Sequence, residues 1–284
     1  MKIYDYKQLG GKLFFNGDIH GSFEELFHVI KSRHEGDFIL VLLGDCGLGF
    51  NRPQYYTDVL NKINKWCEKR NIHIIMLRGN HDDPSYFDGE TVNLSNIKAI
   101  PDYSVVMTNQ GNILCVGGAI SVDRTWRMNE ERKINRFKGK SAYKKKLYWE
   151  NESPVVNENL IQELNDNNIT TIDIVATHAR PSLYYPGVHV PGEKWSMVDD
   201  ELKQDVENEQ NVLNDVLINA LKFKNNDDVM YWYNGHYHVY ENQLSENEEI
   251  RFICLENGMS MFMHDAENFK HLDQIEWECL DMPI

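Results

Sequence analysis

Short apolar runs punctuate the first third of the chain. Lys12–Asn16 (KLFFN) is followed by an unbroken run at 38–43 (FILVLL) and by a third at 72–77 (IHIIML). Each is too short for a helix and lacks polar alternation, which predicts strands covered on both faces. Between them, Phe23–Ser32, with Ser22 as N-cap, and residues 54–69, with Pro53 near the first turn, predict helices. Strand and helix therefore alternate, which implies parallel strands joined by right-handed crossovers. Further strands are predicted at Ser104–Thr108, 113–116, 171–176, 229–233, 249–255 and 259–263, so the whole chain reads as α/β.

Two stretches break this rhythm, one basic at about 121–156 and one polar and helix-prone at about 180–225. They read as insertions on a single domain spanning 1–284, a length that suits one large core. Acidic residues outnumber basic ones by 44 to 29, a net charge of −15 that opposes coating by nucleic acid and favours solubility. The segment 124–146, opening on Arg124 and closing on Lys146, runs against this: ten Lys or Arg face only Glu130 and Glu131. It is a candidate guide for a polyanion, single-stranded nucleic acid in particular if Trp126, Phe137 or Tyr143 stack on bases, or else a solvated helical insertion.

Cys46, Cys67, Cys115, Cys254 and Cys279 are scattered and form no C-x-x-C pair, so neither a disulfide framework nor a zinc knuckle is expected and a reducing cytoplasm is the simplest setting. No apolar run approaches the roughly 20 residues that span a bilayer, and no secretion signal opens the chain.

Candidate chemistry lies just after the predicted strands. Asp18 and His20 sit in GDIH at 17–20; in extended backbone alternate residues point the same way, and a carboxylate paired with an imidazole suits a divalent metal. On its own the pair also reads as an N-cap and a loop histidine. Asp45 ends the long apolar run, at the edge where an open α/β sheet binds ligands. No Lys followed by Ser or Thr completes a nucleotide-cradling loop there. GNHD at 79–82 adds the amide oxygen of Asn80, the imidazole of His81 and the carboxylate of Asp82, which is placed to orient the His81 ring and raise its pKa. His178 ends another strand, and His236 and His238 lie two apart in GHYH at 235–238. Each signal alone has an ordinary turn or surface reading; their conjunction, in order and always at strand ends, does not.

Together GDIH, GD, GNHD, a lone His and GHYH resemble the signature of the calcineurin-like metallophosphoesterases from Gly17 to His238. The resemblance implies a two-sheet αββα sandwich with helical insertions and two divalent metal ions, Mn, Fe, Zn or Mg. Asp18, His20, Asp45 and His238 would hold one, and Asp45, Asn80, His178 and His236 the other, with Asp45 shared. It further implies hydrolysis of a phosphate ester by in-line attack of an activated water, with His81 protonating the leaving oxygen. Small phosphate esters or nucleotides are the implied substrates, with a leaning to diesters; a phosphomonoesterase, including a protein phosphatase, and a catalytically silent metal-binding scaffold are the alternatives.

The phosphoprotein phosphatases of this family continue their GD motif with Asp, Arg and Gly, whereas here Cys46, Gly47, Leu48, Gly49 and Phe50 follow. The Arg that helps hold the phosphoryl group is thus missing from that place. Arg180, two residues after His178, is the preferred substitute, with Arg78 and Arg124 as others. Asp123 and Arg124 are expected to approach the site from a loop after Gly117 and Gly118. Cys46 reads as inert packing or an oxidation sensor. Tyr184, Tyr185 and Trp195 are candidate cleft aromatics, while His28, His34, His73, His189, His264 and His271 match no motif.

Overall fold

Alternate residues of the long strands divide between two cores, and this division sets the layers. The computed structural model describes residues 1–32, 36–139, 142–182, 197–225, 228–256 and 260–262. Strands β2 (Lys12–Asn16), β3 (Phe38–Leu42) and β4 (Ile72–Met76) send Phe14, Leu40, Leu42, Ile74 and Met76 to one face. There they meet helices α1 (Phe23–Ser32) and α2 (Pro53–Glu68). Leu13, Phe15, Ile39, Val41 and Ile75 point the other way and pack against a second sheet. That two-faced burial is why these runs show no polar alternation.

The first sheet adds β5 (Ile97–Ala99) and β12 (Ser260–Phe262) at its edges, in the order β12-β2-β3-β4-β5. The second contains β1 (Ile3–Asp5), β6 (Ser104–Thr108), β7 (Gly111–Val116), β8 (Ile174–Thr177), β9 (Met230–Asn234), β10 (Glu241–Leu244) and β11 (Ile250–Cys254). Its order is β1-β6-β7-β8-β9-β11-β10. The outer face of this sheet, with Leu114, Val116, Val175, Trp232 and Phe252, is covered by α4 (Leu160–Asp166) and α5 (Leu202–Leu221). Four layers result, helix, sheet, sheet and helix, as the αββα expectation requires.

Parallel pairing brings strand ends level. Asn16 pairs Leu42 and Leu42 pairs Met76 in the first sheet; in the second, Val116 pairs Thr177 and Ala176 pairs Tyr233. The residues after these positions leave both sheets on one rim, where open α/β sheets collect ligands. The stretch at 121–156 carries α3 (Arg124–Asn135), and α5 belongs to the stretch at 180–225. Short strands β1, β5 and β10 and helix α4 were not foreseen. β10 (ENQL) is a polar edge strand, and β1 and β5 are three residues long, too short to leave a period in the sequence. Tyr184, Tyr185, Trp195, His34, His189, His264, His271 and Cys279 lie outside the described residues. Among the described residues no helix is long and apolar enough to cross a membrane.

Candidate metal centre

The candidate ligands converge, though not through extended backbone. His20 (φ 45°), Asp45 (φ 46°), His236 (φ 69°) and His238 (φ 53°) all adopt left-handed backbone. They are four of nine such non-glycine residues among those described, so left-handed backbone is concentrated at this rim. The alternation argument for the two His-containing pairs is therefore corrected: tight turns, not strand pleats, aim these side chains. The turns are tied to each other, since the backbone N–H groups of Ile19 and His20 donate to the Asp45 carbonyl and that of Gly21 to Cys46. Gly44 (φ 101°) also makes room, because a β-carbon there would stand 2.9 Å from that of His178.

Two fully buried carboxylates organise the centre. Asp18 Oδ1 accepts from the His236 backbone N–H at 3.1 Å and lies 3.9 Å from His178 Nδ1. Its Oδ2 stands 3.0 Å from His238 Nε2 and 3.9 Å from His20 Nε2, yet accepts no hydrogen bond. Asp45 Oδ1 accepts from the His81 backbone N–H at 2.7 Å and lies 3.1 Å from His178 Nε2. Asp45 Oδ2 faces His20 Nδ1 and His81 Nε2, each at 3.8 Å. The His20 and His238 rings touch through their Nε2 atoms at 3.3 Å, and His236 lies across from His178 with ring centres 5.0 Å apart. All seven predicted metal ligands thus share one locale, with Asn80 Oδ1 3.1 Å from His178 Nε2.

His178 tests whether these donors suit a cation. Its Nδ1 donates to the Leu43 carbonyl at 2.7 Å, which fixes the tautomer and turns Nε2 toward Asp45 Oδ1 and Asn80 Oδ1. Three oxygen acceptors around one ring call for a second proton or a metal ion. Without a cation, burial disfavours charge on His178, but Asp45 and then Asp18 overcome it and raise the ring to about 10. Burial likewise works to raise Asp45, and the surrounding imidazoles, His178 first, hold it well below the usual carboxylate range. His236 is pushed down to about 3 by burial and by His178, so it stays neutral with a lone pair to offer. A mixed set of imidazole nitrogens, carboxylates and an amide oxygen, with an unsatisfied buried Asp18 oxygen, fits divalent cations.

Two predicted roles are corrected. Asp82 does not hold the His81 ring: its oxygens accept the backbone N–H groups of Gly79 (2.8 Å), Cys46 (3.0 Å) and Leu48 (2.8 Å), clamping the loop after β3 onto the loop after β4. Burial pushes its carboxyl up to about 7. Arg180 is not open to solvent either: it is fully buried, with Nη2 on the Glu241 carboxylate and with Nε and Nη1 lacking a hydrogen-bond partner among the described residues. Arg78 is spent on Asp102 and on the carbonyls of Asn151, Glu152 and Ser153, and Arg124 on Asp199 and Asp205. Cys46 is buried and its thiol pushed up by burial, in keeping with packing rather than reactivity.

The cation that does reach the site is Arg127, which sequence reasoning passed over. Its Nε donates to Asp123 Oδ1 at 2.6 Å and its Nη2 meets His81 Nε2. Burial, with Arg127 adding to it against the pull of Asp45, lowers His81 to about 4. Also unforeseen is a chain behind Asn80, whose Nδ2 donates to Ser121 Oγ at 3.1 Å, which in turn donates to Glu152 Oε2 at 2.6 Å. Neither set has a local motif; both depend on the path of the chain after β7. Of the basic segment, Arg124 and Arg127 are thus turned inward and Lys133 pairs with Glu130, while Trp126 and Phe137 remain exposed.

Beside this network Glu209 of α5 is buried, accepting from the Ile120 backbone N–H. Burial raises it from the ordinary 4.5 to about 7. The folded protein therefore favours its protonated form, and the stability this contributes is complete below pH 4.5 and lost as pH rises through 7. Glu209→Gln is expected to remove that loss, narrowing the difference in unfolding free energy between pH 5 and pH 8 by on the order of 1–3 kcal/mol. Urea unfolding at both pH values checks this; an unchanged difference would contradict it.

A sequence model of the calcineurin-like phosphoesterases matches residues 11–240. No curated protein matches the chain significantly. Among solved structures, TT1561 of Thermus thermophilus aligns over 96% of this chain and 99% of its own at 10% identity, with a TM-score of 0.49. A serine/threonine phosphatase of Saccharomyces cerevisiae aligns over 92% of this chain and 76% of its own at 12% identity, with a TM-score of 0.36. A putative 5′-nucleotidase of Staphylococcus aureus aligns over 95% of this chain and 53% of its own at 11% identity, with a TM-score of 0.40. With its signature residues gathered on one rim of an αββα sandwich and the family match spanning most of its length, the chain belongs to the calcineurin-like phosphoesterase family.

Proposed function

We propose that the protein hydrolyses small phosphate esters with two bound divalent cations, and that its preferred substrates are phosphodiesters or nucleotides. The observation that carries the two-cation reading is the position of Asp45. Its Oδ1 faces His178, beside Asn80, and its Oδ2 faces His20 and His81, so one carboxylate serves two groups of donors. His20, His238 and Asp18 complete one group; Asn80, His178 and His236 complete the other. When bound, such a pair of cations supplies Lewis acidity toward the phosphoryl oxygens and lowers the pKa of a water toward roughly 7. We assign to His81, partly exposed at the rim, the proton transfer to the leaving oxygen; because burial lowers it to about 4, the ring must first take up a proton to act as that acid.

Charge supports the diester preference. Arg78 and Arg124 are consumed by ion pairs, Arg180 is buried with only Nη2 on Glu241, and Arg127 is the one of these four that contacts His81, while the molecule as a whole carries −15. A diester brings one negative charge where a monoester brings up to two, so it is opposed less by that field. The four described cysteines are free and buried, which suits a reducing cytoplasm. A second reading places single-stranded nucleic acid along α3, supported by exposed Trp126 and Phe137; the salt dependence of its binding would test that.

Metal-reconstituted protein should be assayed side by side on p-nitrophenyl phosphate, bis-p-nitrophenyl phosphate and 2′,3′-cyclic nucleotides. Turnover of the last two above the first is expected. Monoester activity alone would overturn the diester preference, and no turnover of any would overturn the enzyme reading. The chain behind Asn80 gives a separate expectation. Ser121 fixes which end of the Asn80 amide faces the centre, so Ser121→Ala is expected to weaken metal affinity about 10–100-fold without unfolding the protein. Metal titration followed by calorimetry checks it, and an unchanged affinity would remove Ser121 from the support of the centre.

A further inference from the structure

Helix α3 carries two buried arginines three residues apart, hence on one face, and the structure gives them different fates. Arg124 is enclosed by Asp199 and Asp205. Arg127 is hydrogen-bonded along one edge only: Nε donates to Asp123 and Nη2 meets the His81 ring, while the buried Glu152 carboxylate interacts with its charge without a hydrogen bond. A guanidinium has five N–H donors, so three of them remain to be used beside the candidate metal centre.

We propose that Arg127 is the phosphate-binding residue of this site, and that it reaches the phosphoryl group by leaving His81. The inference rests on the phosphoesterase reading above and assigns to the stretch at 121–156 the cation that is missing after the GD motif. Arg is a donor only, so its contact with His81 Nε2 uses the lone pair of a neutral imidazole. A phosphoryl oxygen pair is the better partner, because it carries charge and matches the guanidinium fork with two parallel hydrogen bonds. Substrate therefore draws Nη2 from the ring, while Asp123 keeps Nε anchored and limits the swing to the end of the side chain. The same movement uncovers His81 Nε2, the atom that faces Asp45 Oδ2 at 3.8 Å. One helix thereby links recognition of the phosphate to the freeing of His81. A phosphate-free ligand of similar shape would leave the pair closed.

The test uses the full chain loaded with manganese and compares Arg127→Met, Arg127→Lys and, as a control, Arg132→Gln elsewhere on α3. Inorganic phosphate binding by calorimetry, KM and kcat on bis-p-nitrophenyl phosphate and bound metal are read for each. Arg127→Met is expected to weaken phosphate binding and raise KM about 10–100-fold at unchanged metal content, as for the loss of a charged hydrogen-bonding partner. Arg127→Lys should recover part of that loss, and Arg132→Gln should match the wild type. Wild-type phosphate affinity in Arg127→Met would overturn the inference, as would loss of metal in step with phosphate, which would make Arg127 a support of the centre. Should Arg127→Met fail to fold, Arg127→Lys decides, because the charge without the fork should still weaken phosphate binding. If the wild type turns over no ester the phosphoesterase reading falls, while the phosphate titration still judges Arg127 on its own.

Discussion

Asp45→Asn is expected to cost about a thousandfold or more in turnover and to strip the protein of tightly bound metal while leaving it folded. The expectation comes from the position of one residue. Asp45 is fully buried at the end of the long β3 run, its backbone at φ 46°, its carbonyl holding the His20 turn and its carboxylate facing both groups of donors. Asparagine tolerates left-handed backbone nearly as well as aspartate and still accepts the His81 backbone N–H, so the turn survives. What is lost is the charge that, in the proposed two-metal centre, offsets both cations at once. Metal analysis and circular dichroism on the same sample separate the two effects. Normal metal content with normal turnover would show that Asp45 is not shared.

Gly79→Ala is expected to be nearly as damaging by a purely steric route. Its β-carbon would collide with the Asp45 side chain and backbone nitrogen and stand 2.7 Å from His178 Nε2. Backbone cannot give way there, because Asp45 N belongs to the turn that positions His20 and the Gly79 N–H is held by Asp82. Overpacking of this kind costs roughly 1–3 kcal/mol, and here the displaced atoms are the candidate ligands themselves. Thermal unfolding should show a lower midpoint and metal titration a loss of tight sites. A variant that binds metal like the wild type would mean that the loops after β3 and β4 are less rigid than their hydrogen bonds imply.

Much of this was legible in the sequence because the fold puts its chemistry where its pattern changes. Lys12–Asn16, Phe38–Leu42 and Ile72–Met76 are continuous apolar strands since both faces are covered, and Asp18, Asp45 and Asn80 stand out as the polar residues that follow. Level strand ends then bring together residues as distant as Asp18 and His238. The means of convergence was not legible. Left-handed turns at His20 and His238 replace the pleated alternation assumed for them, and a sequence period carries no sign of φ. Asp82 was assigned to its neighbour His81, whereas a buried carboxylate between two loops finds backbone N–H groups from both. Arg180 was favoured for being near His178 along the chain, while Arg127 lies 46 positions from His81 and meets it only because α3 folds back over the rim. Within the segment 124–146 the sequence does not show that Arg124 faces inward, since its partners Asp199 and Asp205 lie far along the chain, whereas the pairing of Arg127 with Asp123 is a local i,i+4 contact.

The central claim is that Asp18, His20, Asp45, Asn80, His178, His236 and His238 hold a pair of divalent ions. Titration of metal-free protein with manganese, followed by calorimetry, measures this directly. Two equivalents per chain are expected for the wild type, with the tight sites lost in Asp45→Asn. A wild-type protein that takes up no stoichiometric metal, or one whose uptake is indifferent to Asp45, would contradict the account.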